Sequence, residues 1–154
     1  MPVHTIQLFY VLASCIVPAM AGAIQPTHTC FDDALDFFTH VEPTAFEQYM
    51  VVHALVTLPG QSDVFAHAWV EQLPERLVIQ GGVYNGRRCY YGLPTLPFEI
   101  VKSSRYTARQ ASHLNVLHNH FGPWRREYRD ACSTGAVIVG ALQPSTPLHL
   151  IFVD

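Results

Sequence analysis

The sequence predicts an α+β domain, an N-terminal helix packed on an antiparallel β-meander, and three observations predict it. The chain has 154 residues, 49% hydrophobic and 14% charged, enough for one core, too little for two, and too apolar for extended disorder. Eleven prolines and nine glycines interrupt it too often for a helical bundle. The apolar period then changes along the chain, from helical around 31–38 to extended from 50 onward.

Residues 1–23 carry no Asp, Glu, Lys or Arg. An apolar stretch from Ile6 to Val17 is followed by Pro18, then by the small-x-small sites Ala19-Met20-Ala21 and Ala21-Gly22-Ala23. This reads as a cleaved secretory signal, leaving a single domain at 24–154 in a secreted or periplasmic protein. His4 stands where a basic residue is usual, so a buried N-terminal helix is the alternative. Leu12-Ala13-Ser14-Cys15 also fits a lipobox, which would make the chain a lipoprotein. Cleavage after Ala23 leaves Cys30, Cys89 and Cys132. In an oxidising compartment the simplest arithmetic is one disulfide and one free thiol. A Cys89–Cys132 pair would leave Cys30 free, but spacing does not fix the pairing, and in a reducing compartment all three stay thiols.

Thr29 can cap a helix starting at Cys30, with Asp32 and Asp33 in its first turn and Phe31, Ala34, Leu35 and Phe38 forming one apolar stripe. Pro43-Thr44 breaks the chain, and Thr44 with Glu47 reads as a capping box for a short helix through Tyr49. Met50–Leu58, Val64–Leu73 and Arg76–Gln80 read as three strands joined by short turns. Gly81-Gly82 and Asn85-Gly86 are expected to end this meander. Phe98–Lys102 reads as another strand, and Thr107–His118 as a helix ended by Gly122-Pro123. Trp124–Cys132 reads as a short helix, and Ala136–Leu142 and Leu148–Val153 as buried strands.

Charge is segregated. Residues 24–86 carry net −7 and residues 87–129 net +6, while the whole chain is −3. That overall balance excludes a generally basic nucleic-acid binder. The basic segment reads either as a solvated face or as the receiver of an acidic partner.

Two positions carry nucleophile chemistry. Cys30 opens an amphipathic helix, where unpaired amide N–H groups favour a thiolate, against the nearby Asp32 and Asp33. A small buried hydrophobe is the structural alternative for it. In Phe65-Ala66-His67-Ala68-Trp69-Val70-Glu71, strand alternation sets Phe65, His67, Trp69 and Glu71 on one face and Val64, Ala66, Ala68 and Val70 on the other. A helix-start cysteine followed by a His-Ala-Trp-Val-Glu strand resembles the papain-like and transglutaminase-like cysteine enzymes, chiefly their small bacterial and phage members. Tyr49–Val56, Arg105–Ala111 and His120–Trp124 also resemble these proteins, so the likeness spans roughly 30–124.

The resemblance implies a papain-like (transglutaminase-like) architecture and a catalytic set of Cys30, His67 and Gln80. Cys30 would attack a peptide or Gln/Asn side-chain amide carbonyl, and His67 would move the proton. A thioester would then be resolved by water or an amine, as in a protease, amidase, deamidase or transglutaminase. Gln80 stands where such enzymes carry Asp or Asn; its carbonyl can orient the imidazole but gives imidazolium no counter-charge. Glu71 is another orienter, and Gln25 a candidate oxyanion donor. Trp69 supports the histidine, and His53 on the neighbouring strand competes as base or acts as a structural residue. A catalytically decayed papain-like binding module, using the basic 87–129 face for an acidic partner, is the alternative.

No phosphate loop, Gly-x-Ser-x-Gly elbow or Cys-x-x-Cys pair is present, so no cofactor is implied. His113, His118 and His120 are spaced five and two apart, which fits zinc on one helical face poorly. A peptide or protein substrate is the expected partner, with no nucleic acid and no stable membrane span after signal cleavage.

Overall fold

The computed structural model describes residues 14–17, 25–26, 29–93, 96, 98–133 and 148–152, with 14–17, 25–26, 133 and 148–152 described by backbone alone. The signal reading of 1–23 and the strand expected at Ala136–Leu142 therefore lie outside the described residues, apart from Ser14–Val17.

An open antiparallel sheet organises the chain. Its long strands are β3 (Tyr49–Thr57), β4 (Val64–Gln72), β5 (Leu77–Tyr84), β6 (Arg87–Leu93) and β7 (Glu99–Thr107). Short strands β1 (Ser14–Val17), β2 (Gln25–Pro26) and β8 (Leu148–Phe152) add to it, in the order β1-β8-β6-β5-β4-β3-β7, with β2 beside β5. Helix α1 (Cys30–Asp36) continues as a 3-10 turn over Phe37–His40. Helix α2 spans Ala108–His118 and α3 spans Arg126–Ser133. Among the described residues, no helix is long and apolar enough to cross a membrane.

Both faces of the sheet are apolar, and each has its own core. In register, His53 faces Ala68, Val51 faces Val70, Val70 faces Ile79 and Gly81 faces Tyr90. This first face receives Phe31, Ala34, Phe37 and Phe38 from α1 and the turn after it, and Ala108 and Ala111 from α2. The second face carries Val52, Ala54, Phe65, Trp69, Val78, Cys89 and Tyr91, with Phe98 packed on it.

The helix sits close because the strands beneath it are small. Ala66 and Ala68 lie under it. A Cβ on Gly81 would stand 2.7 Å from Asp33 Cγ, closer than real side chains tolerate. The Gly81-Gly82 pair therefore does not end the strand as the sequence suggests. Gly81 lets α1 approach, and β5 runs on to Tyr84. The Asn85-Gly86 turn, with φ 49° and 76°, then returns the chain into β6, a strand the sequence reading missed. Polar anchors fix the helix from the sheet side: Tyr90 Oη lies 3.0 Å from both the Asp33 carbonyl and Asp36 Oδ2, and Arg88 reaches both carboxylates.

Residues Pro43–Gln48 form a 3-10 helix capped at Glu42, with no Thr44 capping box, since Pro43 already presets the first turn. Strand β7 is longer than expected, running to Thr107. There the Thr107 hydroxyl accepts from Gln110 N–H at 3.1 Å while the Gln110 side chain accepts from Thr107 N–H at 2.9 Å, a complete capping box that starts α2.

Candidate functional site

His67 lies on the second face, in the middle of β4 and buried. Its Nε2 stands 2.9 Å from Gln80 Oε1; since that oxygen only accepts, Nε2–H donates. Trp69 and Phe98 flank the ring at centroid distances of 5.8 Å and 5.1 Å. Burial pushes the imidazole down to about 4, against the opposing pull of the Gln80 hydrogen bond. Two donors beside it, Trp69 Nε1 and Gln80 Nε2, are buried without a hydrogen-bond partner. Glu71 does not reach His67's ring as an orienter. Its carboxylate is committed to Arg105, whose Nε and Nη2 each donate at 3.0 Å in a bidentate pair.

Cys30 lies on the other face. It packs against the first-face core, and its sulfur accepts from the Ala68 backbone N–H. Burial nevertheless pushes the thiol up to about 12, with the Asp33 charge acting in the same direction, although part of the residue touches solvent. The helix start brings no activated thiolate, because desolvation outweighs the amide N–H groups around it. Alternation along β4 aims His67 through the opposite side of the sheet from Ala68, so the structure brings His67 to Gln80 but does not bring Cys30 to His67. Gln25 lies on β2 opposite Val83, where only its backbone is described.

His53 is the histidine on the Cys30 face. It is fully buried, stacked on Trp124 at 4.6 Å and met edge-on by Phe31 at 4.7 Å and Tyr106 at 5.3 Å. Neither ring nitrogen has a hydrogen-bond partner, and burial pushes its pKa down to about 3. It serves as a neutral aromatic filler.

Both buried histidines bind a proton less readily folded than unfolded. Below the ordinary histidine value of 6.5 the unfolded chain takes up protons that the fold resists, so stability is full above that pH and falls as the pH drops toward 4. Each group contributes a slope of about 1.4 kcal/mol per pH unit there. Urea midpoints between pH 7 and 4 are expected to fall steeply for the natural chain, and His53→Phe to roughly halve the slope.

A second feature lies at the edge of the sheet. Ser104, Arg105 and Tyr106 of β7, Leu114 and His118 of α2, and Trp124 and Arg125 line an open cleft of about 530 Å³. Its rim is tied down. Arg125 Nη1 donates to Ser104 Oγ at 2.8 Å, Ser104 Oγ pairs with Tyr128 Oη at 2.8 Å, and Trp124 Nε1 donates to the His120 carbonyl at 2.9 Å. Every lining residue falls in the basic 87–129 segment. The sequence reading had that segment's charge, but not Ser104, Tyr106, Leu114 and Arg125 as neighbours, because they come from three separate elements. Among the described residues, no cluster of His, Cys, Asp and Glu could hold a metal ion.

Comparison with protein-family models, with curated proteins and with solved structures gives no match.

Proposed function

We propose that this chain is a secreted binding module on a papain-like frame, and that its cleft takes an acidic, extended peptide segment of a partner protein. The frame reading is supported by a cysteine-led helix laid on an antiparallel sheet whose histidine strand is followed by the strand carrying its Gln80 partner. The cleft carries the functional reading. Arg125, half-exposed at its mouth, 3.7 Å from Glu127 and bonded to Ser104, offers an anion its remaining guanidinium donors, and His118 adds a ring nitrogen, while Trp124, Tyr106 and Leu114 offer an apolar neighbour a floor. Beside it, β7 is the last strand of the sheet, and among the described residues its outer edge is unpaired. An extended segment can add there by main-chain hydrogen bonds.

The test is fluorescence anisotropy of a labelled peptide of alternating glutamate and leucine with the full chain. Binding is expected to weaken with salt. It should fall at least about tenfold in Arg125→Ala, the loss of one charge-assisted contact, and stay unchanged in His67→Ala. Equal binding by Arg125→Ala, or insensitivity to salt, would overturn the reading.

A Cys-His hydrolase or acyltransferase acting on amides is the second reading, favoured by the His67–Gln80 hydrogen bond alone. It requires Cys30 to meet His67 from the far face of the sheet.

A further inference from the structure

Helix α2 uses two of its sides inside the molecule. Ala108 and Ala111 face the core, and Leu114 and His118, one turn apart, line the cleft. Arg109, His113, Val116 and Leu117 share the remaining arc, since helical spacings of three, four and seven residues join them. All four are exposed. Val116 is 78% exposed and Leu117 64%, and Phe121, just past the helix end, is 42% exposed. Of the six exposed large apolar side chains among the described residues, three therefore fall between positions 116 and 121, a cluster rather than a scatter.

The surroundings are cationic. From Ile100 to Arg126 the chain holds no Asp or Glu, and its charges are Lys102, Arg105, Arg109, Arg125 and Arg126. Arg105 is committed to Glu71. Lys102 and Arg125 meet Glu127 at 2.7 Å and 3.7 Å, and Arg126 meets Asp130 at 3.7 Å, yet these three side chains stay 52%, 51% and 87% exposed. Arg109 and Arg129 are exposed as well. Arg125 shares the cleft with His118, which sets positive charge at the same end of α2 as the apolar cluster.

We propose that this end of α2 docks the chain on an anionic phospholipid bilayer. Val116, Leu117 and Phe121 enter the headgroup layer, while the flanking cations meet the phosphates. An apolar tip among cations matches a surface that is negative outside and apolar just beneath. A second copy is the poorer occupant, because a two-fold contact through this patch sets its arginines against their own like charges. The docking is peripheral and needs no spanning helix. It is separate from peptide binding in the cleft, since Val116, Leu117 and Phe121 do not line that cleft.

The test is co-sedimentation of the full chain with vesicles of phosphatidylcholine alone and of phosphatidylcholine mixed with phosphatidylglycerol. Binding is expected only to the mixed vesicles and is expected to fall with added salt. Val116→Ser with Leu117→Ser should weaken it about tenfold or more, and so should Arg109→Glu. Both changes are at exposed positions, and unchanged urea midpoints confirm that the fold is kept. In Leu117→Trp, mixed vesicles should shift the added indole emission to the blue. The proposal is overturned by equal binding to both vesicles, by no binding to the mixed ones, by full binding of the double serine variant, or by binding without the Leu117→Trp shift. A dimer in solution that Leu117→Ser dissociates would also overturn it, in favour of a second copy.

Discussion

Gly122→Ala is expected to destabilise the fold by about 3 kcal/mol or more, from two causes that add. Gly122 holds φ at +122°, a conformation that side-chain-bearing residues rarely adopt. A Cβ there would also stand 2.6 Å from His53 Cε1 and 3.2 Å from Phe31 Cδ1. His53 cannot yield, because Trp124, Phe31 and Tyr106 enclose it. Urea unfolding of Gly122→Ala, alone and with His53→Ala, separates the causes: the second change relieves the clash and leaves the backbone strain. A Gly122→Ala protein as stable as the natural chain would mean the His53 box is not as described.

Arg105→Ala is expected to cost about 3 kcal/mol, for an electrostatic reason. The Glu71 side chain is 5% exposed, and Arg105 neutralises it with two parallel hydrogen bonds of 3.0 Å. Truncating the arginine strands a buried carboxylate. Replacing both partners with apolar residues, as in Glu71→Leu with Arg105→Met, should recover most of the loss, since no charge is then left desolvated. A double-mutant cycle by urea denaturation measures the coupling, and a cycle showing none would contradict a stabilising pair.

The sequence made some of this legible and concealed the rest for physical reasons. Local chemistry was readable. The helix read at 107–118 is α2, and the alternation in 64–71 places His67 and Trp69 on one face. The resemblance set Gln80 as the partner of His67, where the hydrogen bond lies. What alternation cannot tell is which face α1 covers, because Phe65 and Trp69 on one side are as apolar as Ala66, Ala68 and Val70 on the other. The signal that could have decided it was size. Ala66, Ala68 and Gly81 are the small residues that let a helix approach, and they stand on the face opposite His67. Read as turn residues, the glycines instead hid β6 and the helix's seat. The cleft was legible only as charge, since its apolar floor comes from Tyr106, Leu114 and Trp124 on separate elements.

The proposed binding role rests on Cys30 and His67 facing opposite sides of one sheet. The most direct measurement is the pH profile of Cys30 alkylation in the reduced full chain, for the natural protein and for His67→Ala, with the labelled residue mapped by mass spectrometry. Cys30 is expected to react only at strongly alkaline pH, in keeping with a thiol pushed up to about 12, and the two profiles are expected to coincide. Labelling of Cys30 below pH 7 that disappears in His67→Ala would contradict it and restore the Cys-His pair.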